Sequence, residues 1–564
     1  MYSDKENINI LTALLLQHGV GHAVVCPGSR NAPIVHNLEV CPDIVCHALT
    51  DERSAGFYAL GLAQSTGQPA AVCVTSGTAL LNLLPAVAEA QYQHLPLIVI
   101  SADRPRQWIG QLDGQTLPQA GVLAPFVRHS VTLPEPSNDE ERWLCNRLVN
   151  EALCLAGHRA PCPVHINVPI SEPLFQFTES RLPSTRKFSV TTLECGQSSF
   201  RDTLRELDGK CRVIVVMGCT VRSIVDDTLL RSISRSLVLL YEPLMADAAE
   251  AVHFDEVLSA ISADEDDYRP DFILYLGGTV VSKRLRHFLR RSAAPTWLLT
   301  TDGTAIADPT MHLDRVLECR DEAEMRFFLE ALGSEFSEIS ENSELSEQSS
   351  FTARWHQALT AAALHADAFE PRYSQLAAVK YFEQQLDDLC LPVHVHYANS
   401  TAVRLACIYA GHRVWCNRGV NGIEGSLSTA AGFSLATDAL VVCVIGDLSF
   451  FYDQNALWNA ALRGNLRVIL LNNHRGGIFS LLPGLEESPS ARTSVSGSHS
   501  LSARGICEQC DVGYLSASSM DEMQLGIVSL LTRDARRPMV LEITTDADAD
   551  AAEMKRYYET FKTR

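Results

Sequence analysis

The fold of this chain is indicated most clearly by residues 440–475, LVVCVIGDLSFFYDQNALWNAALRGNLRVILLNNHR. An apolar, strand-like run leads to Asp447, a segment of helix length follows, and a second apolar run leads to Asn473. The 25 residues between Asp447 and Asn473 are enough for one crossover helix that returns the chain to a neighbouring parallel strand. The stretch therefore predicts a βαβ unit of a parallel sheet.

Polar side chains stand where these two predicted strands end. In a parallel sheet the carboxyl ends of neighbouring strands meet at one edge, and α/β proteins bind ligands there. Asp447 and Asn473 would bring a carboxylate and an amide oxygen to that edge, beside the start of a helix. Two hard oxygen ligands in this position suit a magnesium ion that carries a diphosphate group.

A second copy of the unit lies near the N-terminus. Residues 70–104, AAVCVTSGTALLNLLPAVAEAQYQHLPLIVISADR, align without a gap onto the first stretch at an offset of 370, with strand, turn, helix and strand in the same register. Gly77 stands opposite Asp447, so the carboxylate has no counterpart in this copy. We expect the two copies to share a fold, with one holding phosphates and the other serving another purpose. A chance match of two βαβ units is the alternative.

The whole chain of 564 residues alternates strand-like and helix-like segments, which predicts α/β architecture with three doubly wound parallel-sheet domains. We place these domains at residues 1–182, 183–350 and 351–564. An acidic, Ser-rich stretch at 333–350 is typical of a linker.

The composition restricts the class of protein. The net charge of −21 argues against nucleic acid or an anionic membrane as the main partner. No apolar run is long enough for a membrane-spanning helix, and the polar N-terminus lacks the pattern of a signal peptide, so we expect a cytoplasmic protein without integral membrane association. Several of the 17 cysteines lie in apolar runs and are expected to pack as small hydrophobic residues, and the CxxC at 507–510 is interpreted as incidental.

Eight motifs, in order along essentially the whole chain, carry a resemblance to a known family. They are CPGSRNAP (26–33), TDERSAGFYALG (50–61), TSGTA (75–79), SADRP (101–105), SKRL (282–285), ANSTAVR (398–404), NRGVNGIEG (417–425) and GGIFSLLP (476–483). Together they resemble the thiamine-diphosphate synthases of menaquinone biosynthesis that make 2-succinyl-5-enolpyruvyl-6-hydroxy-3-cyclohexene-1-carboxylate, within the pyruvate-oxidase-like superfamily.

The resemblance implies a transferase that depends on thiamine diphosphate and Mg²⁺ or Mn²⁺. Such an enzyme decarboxylates 2-oxoglutarate and adds the resulting succinyl carbanion equivalent to isochorismate, and CO₂ is released. Because Glu52 and Asp447 fall in different domains, the resemblance also implies a homodimer or homotetramer with active sites between subunits. Another 2-oxo-acid decarboxylase or acetohydroxyacid-type ligase, or a cofactor-free scaffold with the same fold, are the alternatives.

Glu52 is the first candidate catalytic residue. By resemblance it hydrogen-bonds the aminopyrimidine ring of the cofactor and promotes the tautomer that removes the thiazolium proton. Apolar surroundings would favour its protonated form, whereas a helix N-terminus would favour the ionised form. The alternative is structural: Thr50 or Asp51 caps the following helix and Glu52 only favours its first turn.

The resemblance also assigns the remaining cofactor contacts. The cofactor-binding set is Glu52, Ser400, Ile423, Gly446, Asp447, Leu448, Ser449, Asn473, Ile478 and Phe479. The metal ligands are Asp447, Asn473 and the backbone carbonyl of Arg475. Many relatives have Gly at position 475, and a positive φ there would strain an arginine.

Carboxylate substrates are usually bound by arginine, because its guanidinium forms two parallel hydrogen bonds with a carboxylate. By resemblance, isochorismate contacts Ser29, Arg30, Arg104, Gln115, Lys283 and Arg284. Likewise, 2-oxoglutarate contacts Asn399, Ser400, Arg404 and Arg418. The alternative for residues 283–284 is an ordinary solvated basic helix face. The Ser-rich loop at 486–502 is either a lid over bound substrate or an inert loop.

Overall fold

The computed structural model describes residues 1–157, 160–188, 203–207, 209–248, 250–261, 266–303, 306–342, 347–481 and 484–562. Over these residues the strands form three sheets in which all neighbouring strands are parallel. This confirms the predicted α/β class. Among the residues described, no helix combines the length and the apolar character that crossing a membrane would require.

The first sheet has the strand order β2-β1-β3-β4-β6-β5. Its strands are β1 (His22–Val25), β2 (Val45–Ala48), β3 (Ala70–Val74), β4 (Leu97–Asp103), β5 (His129–Thr132) and β6 (Val164–Pro169). The helices of this part are α1 (Glu6–Gln17), α2 (Ala32–Val40), α3 (Glu52–Thr66), α4 (Thr78–Asn82), α5 (Leu84–Gln93) and α6 (Asp139–Gly157).

The second sheet has the order β11-β10-β9-β7-β8. Its strands are β7 (Val213–Met217), β8 (Val238–Tyr241), β9 (Phe272–Leu276), β10 (Thr296–Thr300) and β11 (Leu313–Glu318). The accompanying helices are α7 (Asp227–Ser234), α8 (Phe254–Ala260), α9 (Lys283–Ser292) and α10 (Glu322–Asn342).

The third sheet has the order β13-β12-β14-β15-β17-β16. Its strands are β12 (Val393–Tyr397), β13 (Val414–Trp415), β14 (Leu440–Gly446), β15 (Leu466–Asn472), β16 (Gly513–Ala517) and β17 (Met539–Thr544). The helices are α11 (Glu347–Ala368), α12 (Gln375–Asp387), α13 (Thr401–Tyr409), α14 (Ser426–Leu435), α15 (Asp447–Tyr452), α16 (Arg504–Gln509), α17 (Met520–Thr532) and α18 (Ala547–Lys562).

The first and third sheets have the same topology, because their strand orders coincide when β12 to β17 are matched in sequence with β1 to β6. The predicted shared fold is therefore confirmed, but the predicted identical register is wrong by two residues. Ala71 lies opposite Ile98, whereas its aligned counterpart Val441 lies opposite Leu466 and not Val468. A shift of two residues keeps each side chain on its own face of the sheet, so the hydrophobic pattern tolerates it.

The prediction of one crossover helix after Asp447 is also wrong. Helix α15 ends at Tyr452, and a 3₁₀ turn, Gln454–Leu457, follows. The break falls at the buried Asp453, whose carboxylate accepts hydrogen bonds from the amide and the hydroxyl of Ser428, both at 2.7 Å. This long-range interaction fixes the chain direction where helix propensity alone would continue the helix.

The first and third parts of the chain share a core through helices α3 and α14. A side chain at Gly61 would collide with the backbone of Thr429, and one at Gly432 would collide with the backbone of Tyr58. Glycine at these positions therefore lets the two helix backbones approach closely. Tyr58, fully buried, adds a hydrogen bond from its hydroxyl to the carbonyl of Ala456 at 2.6 Å.

The stretch predicted to be a linker, 333–350, is helical in its described parts. Helix α10 continues to Asn342 and α11 begins at Glu347. Leu332 and Phe336, one helical turn apart, are both buried in the core of the second sheet, so this helix has an apolar face despite its acidic composition. The domain limits at 182 and 350 stay a prediction.

The described cysteines are all free thiols, and Cys507 of the CxxC is buried. Within the described part of the chain, no three His, Cys, Asp or Glu side chains group together as a metal site would require.

Candidate active site

Asp447 stands at the carboxyl end of β14, where it begins helix α15. The carboxylate is 4% exposed, and its Oδ1 accepts a hydrogen bond from the amide of Leu448 at 2.7 Å. Its Oδ2 is buried without a hydrogen-bond partner, although it lies 3.3 Å from Nε2 of His499. Burial raises the pKa of Asp447. A buried carboxylate oxygen without a partner is costly, and a bound cation would compensate it.

Asn473 is oriented by a residue from the last helix. Its Nδ2 donates to Oδ2 of Asp550 at 3.1 Å, and Asp550 in turn accepts from the amide of Gln375 at 2.9 Å and the hydroxyl of Thr545 at 2.8 Å. The oxygen of Asn473 is left with one long contact, 3.4 Å, from the amide of Arg475. Asp550 thus fixes which atom of the amide is available as a ligand.

The backbone turn after Asn473 differs from the expectation. The positive φ falls on His474, at 65°, and Arg475 is not among the residues with positive φ. The backbone strain that was expected at Arg475 is therefore found at His474 instead. The guanidinium of Arg475 forms an ion pair with Asp548. That its carbonyl binds a metal stays a prediction.

The remaining residues predicted to contact the cofactor surround this edge. The hydroxyl of Ser449 donates to the carbonyl of Ile423, and Leu448 lies near Gly497. Ile478 and Phe479 are half-buried in the 3₁₀ helix Gly477–Leu481. Gly446 is the residue before α15, and Ser400 precedes α13 with a φ of 76°.

The C-terminal half of the Ser-rich loop 486–502 packs over the same edge. The carbonyl of Ser496 accepts a hydrogen bond from Gly476 at 2.7 Å, and the amide of His499 donates to the carbonyl of His474 at 2.9 Å. The His499 ring also meets Phe451 edge-on at 5.3 Å. Whether the loop acts as a lid stays a prediction.

Glu52 lies at the first position of α3, in contact with a cavity of about 400 Å³. The side chain of Asp51 caps the helix by accepting from the amide of Ser54 at 3.2 Å, as the structural alternative proposed. Glu52 is therefore not needed as a cap, and its Oε2 accepts from Nδ2 of Asn82 at 3.2 Å. The cavity is lined by Thr50, Asp51, Glu52, Arg53, Asn82 and Trp458.

The predicted isochorismate residues of the first sheet lie at its carboxyl edge and are partly paired. Arg30 is buried and donates to the carbonyl of Ile170 at 2.9 Å and to Glu172 at 3.2 Å. Arg104 donates to the carbonyl of Gly114 at 3.3 Å and lies 3.6 Å from Asp113. Ser29 and Gln115 are exposed.

The start of helix α9 carries the other two predicted isochorismate residues. Lys283 is exposed, and the guanidinium of Arg284 is hydrogen-bonded to Asp255 and stacks over the ring of Tyr558 at 4.4 Å. Among the described residues, no hydrogen bond or ion pair joins Arg284 to the other predicted substrate residues.

The predicted 2-oxoglutarate residues meet at the edge of the third sheet. Asn399 donates to the carbonyls of Asn417 and Gly422 at 2.6 and 2.7 Å, and its oxygen accepts from Arg418 at 3.1 Å. The Nε atoms of Arg404 and Arg418 are buried without a hydrogen-bond partner in the described part of the structure. Asn399 therefore orients Arg418, and both arginines retain donors for an anion.

Sequence reasoning missed Glu89, a buried acid on α5 that connects the two related sheets. Its two carboxylate oxygens accept from the amides of Gly419 and Val420, each at 2.7 Å, and so hold the loop that carries Arg418. An acidic residue within the apolar run LPAVAEA was the available signal. Asn82 and Asp550 were missed because nothing local in the sequence distinguishes them from surface residues.

Comparison with known proteins shows two family matches. The family described as "Thiamine pyrophosphate enzyme, N-terminal TPP binding domain" matches residues 8–122, and "Thiamine pyrophosphate enzyme, C-terminal TPP binding domain" matches residues 398–543. These two ranges contain Glu52 and Asp447, respectively.

Curated relatives extend the similarity to the full length. The chain is 41% identical to the 2-succinyl-5-enolpyruvyl-6-hydroxy-3-cyclohexene-1-carboxylate synthase of Bacteroides thetaiotaomicron and 42% identical to that of Bacteroides fragilis, with 100% of each chain covered. It is 33% identical to the synthase of the same name from Porphyromonas gingivalis, over 99% of this chain and 97% of the relative.

Proposed function

Because the chain belongs to the 2-succinyl-5-enolpyruvyl-6-hydroxy-3-cyclohexene-1-carboxylate synthase family of thiamine-diphosphate enzymes, we propose that it decarboxylates 2-oxoglutarate and joins the remaining succinyl unit to isochorismate. The products are the compound that names the family and CO₂. The enzyme is a transferase of menaquinone biosynthesis. Its cytoplasmic location stays a prediction.

The edge of the third sheet fits the cofactor's diphosphate and its metal. When bound, thiamine diphosphate supplies the electron sink that decarboxylation of a 2-oxo acid requires. Asp447, Asn473 and the carbonyl of Arg475 would hold Mg²⁺ or Mn²⁺, both of which favour oxygen ligands. The partnerless Oδ2 of Asp447 and the orientation of Asn473 by Asp550 support this assignment. Gly446, Leu448, Ser449, Ser400, Ile423, Ile478 and Phe479 would contact the rest of the cofactor.

Glu52 would act on the other end of the cofactor. Its carboxylate borders a cavity, and Asn82 holds one of its oxygens. The other oxygen is then available to share a proton with the aminopyrimidine ring. We propose this proton transfer as its role.

The proposal of 2-oxoglutarate rather than pyruvate as the substrate rests on one observation: the Nε atoms of Arg404 and Arg418 are buried without hydrogen-bond partners in the described structure. Guanidinium donors left unpaired beside a cofactor site favour a substrate that keeps a carboxylate after decarboxylation, as 2-oxoglutarate does and pyruvate does not. Ser29, Arg30, Arg104, Gln115 and Lys283 are proposed to bind isochorismate. Arg284 has the weakest support, since Asp255 already holds it.

Exposed apolar side chains support a homodimer or homotetramer with active sites between subunits. Tyr452 and Trp458, which follow Asp447, are 52% and 65% exposed, and Val420 of the NRGVNGIEG motif is 50% exposed. Trp108 and Leu112, in the loop after β4, are 50% and 101% exposed. Apolar groups concentrated beside a binding edge are typical of a surface that a second subunit covers.

Product analysis tests the proposed function. The protein is mixed with thiamine diphosphate, Mg²⁺, 2-oxoglutarate and isochorismate, with pyruvate replacing 2-oxoglutarate in a parallel reaction. We expect one CO₂ per molecule of adduct, and only with 2-oxoglutarate. Preferential consumption of pyruvate, or no adduct from protein that binds the cofactor, would contradict the proposal.

A further inference from the structure

Contacts at the start of helix α9 (Lys283–Ser292) fix the rotation of this helix about its own axis. Ser282 caps it by accepting from the amide of Leu285 at 3.0 Å. The carboxylate of Glu242, buried at the end of β8, accepts from the amides of Val281 and Ser282 at 2.6 and 2.8 Å. Side chains of α9 therefore have defined directions.

Arg284 and Arg286 point to different sides of this helix. Residues two positions apart are separated by about 200° around a helix axis. Arg284 donates to Asp255 and stacks over Tyr558, on the side that faces the C-terminal helix α18. Arg286 lies on the other side and has no side-chain hydrogen bond or ion pair within the described residues, and its Nε is buried without a partner.

The surroundings of Arg286 are cationic. Burial, and then the positive charges of Arg290, Arg418 and Arg404, lower its pKa. Glu242 is the opposing charge, but its carboxylate is already occupied by two backbone amides.

The segment that leads into α9 contacts the edge of the third sheet: the hydroxyl of Thr279 donates to the carbonyl of Arg418 at 2.9 Å, and Val281 is buried in one cluster with Ala402 and Val403. Arg286, Arg404 and Arg418 each have a buried Nε that lacks a partner in the described structure, and together they form a cluster of positive charge. Such a cluster is balanced when an anion binds within it.

We propose that Arg286 is a substrate-binding residue of the 2-oxoglutarate site, where it binds, together with Arg404 and Arg418, the carboxylate that remains on the substrate. This inference rests on the proposed function. The carboxylate that leaves as CO₂ gains nothing from tight binding to cations, because strong binding of the ground state opposes its loss. The distal carboxylate stays charged throughout, so a permanent cluster of three guanidinium groups suits it.

Substitution of Arg286 tests the proposal within one protein preparation. For Arg286→Gln we expect the ratio of kcat/KM for 2-oxoglutarate to that for 2-oxobutyrate, which lacks the distal carboxylate, to fall about 10- to 100-fold, the effect of losing a charge-assisted hydrogen bond. The KM for isochorismate should stay within about two-fold, since other residues bind it. Arg286→Lys should recover part of the ratio. Arg291→Gln removes an exposed charge from the same helix and should leave the ratio unchanged.

A binding measurement separates this proposal from the proposed function. Glutarate and butyrate are titrated by calorimetry into wild type and into Arg286→Gln, with folding verified by circular dichroism. We expect the wild type to bind glutarate more tightly than butyrate, and Arg286→Gln to lose that preference. If wild type does not turn over 2-oxoglutarate yet this pattern holds, the dicarboxylate site stands and the proposed reaction fails. An unchanged glutarate preference in folded Arg286→Gln, or an unchanged substrate ratio, would overturn the role of Arg286.

Discussion

The carboxyl edges of the first and third sheets are built on one topology but are filled differently. At the first edge the charged side chains Arg30 and Asp103 are paired, because Arg30 donates to Ile170 and Glu172 and Asp103 accepts from Asn167 at 2.8 Å. Two neutral atoms, Oδ1 of Asn31 and Oγ1 of Thr75, are buried at this edge without partners among the described residues. At the third edge Asp447, Arg404 and Arg418 keep buried polar atoms without partners in the described structure. The shared fold therefore supplies a suitable edge twice, and the charged groups without partners support binding of the metal and of the 2-oxoglutarate carboxylate at the third edge.

Glu52→Gln is expected to cause the largest change in activity. If Glu52 transfers a proton to the cofactor, turnover should fall by about 10²- to 10⁴-fold, the usual effect of a lost proton-transfer group. Steady-state kcat at saturating substrates measures this. A kcat near that of the wild type would remove Glu52 from the mechanism.

Asp447→Asn should preserve or raise the melting temperature of the free protein but abolish the stabilisation by cofactor and metal. Without ligands the variant should melt at the same temperature as the wild type or higher, because an unsatisfied buried carboxylate is removed. The rise in Tm that thiamine diphosphate and Mg²⁺ give the wild type should disappear, since binding stabilises only if the site is intact. Asp438→Asn, at an exposed surface ion pair, is the matched control and should keep the full rise.

Asp453→Asn tests the contact that breaks the crossover helix of the third sheet. Burial raises the pKa of Asp453 to about 6 from 3.8, so the folded protein holds a proton that the unfolded chain releases between these values. The free energy of unfolding should therefore fall by about 2 kcal/mol from this group as pH rises from 4 to 6, which is most of the roughly 3 kcal/mol that the full shift represents. The variant lacks this dependence and should gain stability relative to the wild type over that window. Denaturation curves in urea at several pH values measure it, and a constant difference between the two proteins would contradict it.

Asp550→Ala should weaken metal-dependent cofactor binding by about 10- to 100-fold, the usual effect of losing a residue that orients a metal ligand. The binding of thiamine diphosphate is titrated at several Mg²⁺ concentrations. If Asp550 acts by orienting Asn473, excess Mg²⁺ should recover part of the affinity. Affinity equal to that of the wild type would show that Asn473 needs no support from the last helix.

Local patterns in the sequence were sufficient to predict the parallel sheets and the duplication, and the positions of Glu52 and Asp447 at the two ends of the site stay a prediction. The stretch around Asp447 and its copy at residues 70–104 each contain two continuous apolar runs, buried on both faces of the sheet, and turn residues within about 35 positions, a range over which sequence patterns are informative. The hydrophobic pattern could not reveal the two-residue shift in register, because the shift leaves every side chain on the same face of the sheet. The helix break at Asp453 depends on Ser428, and the orientation of Asn473 depends on Asp550, 77 positions away.

Arg284 and Arg286 show the same limit at the level of one helix. Both are basic residues in the segment SKRLRHF, and the motif favoured the first. The direction of each is set by Glu242 and Asp255, which come from other elements of the second sheet region. The basic cluster in the sequence therefore could not indicate which side of the helix each arginine occupies.

The central claim is that Asp447 anchors the metal and the diphosphate whereas Glu52 acts in turnover. Calorimetric titration of thiamine diphosphate with Mg²⁺ into Glu52→Gln, Asp447→Asn and the wild type tests it most directly. We predict that Glu52→Gln binds within a few-fold of the wild type while Asp447→Asn loses at least about 100-fold in affinity, because Asp447 offers the metal a buried, partnerless carboxylate oxygen whereas Glu52 is not a proposed metal ligand. Equal loss in both variants, or loss in Glu52→Gln alone, would contradict the account.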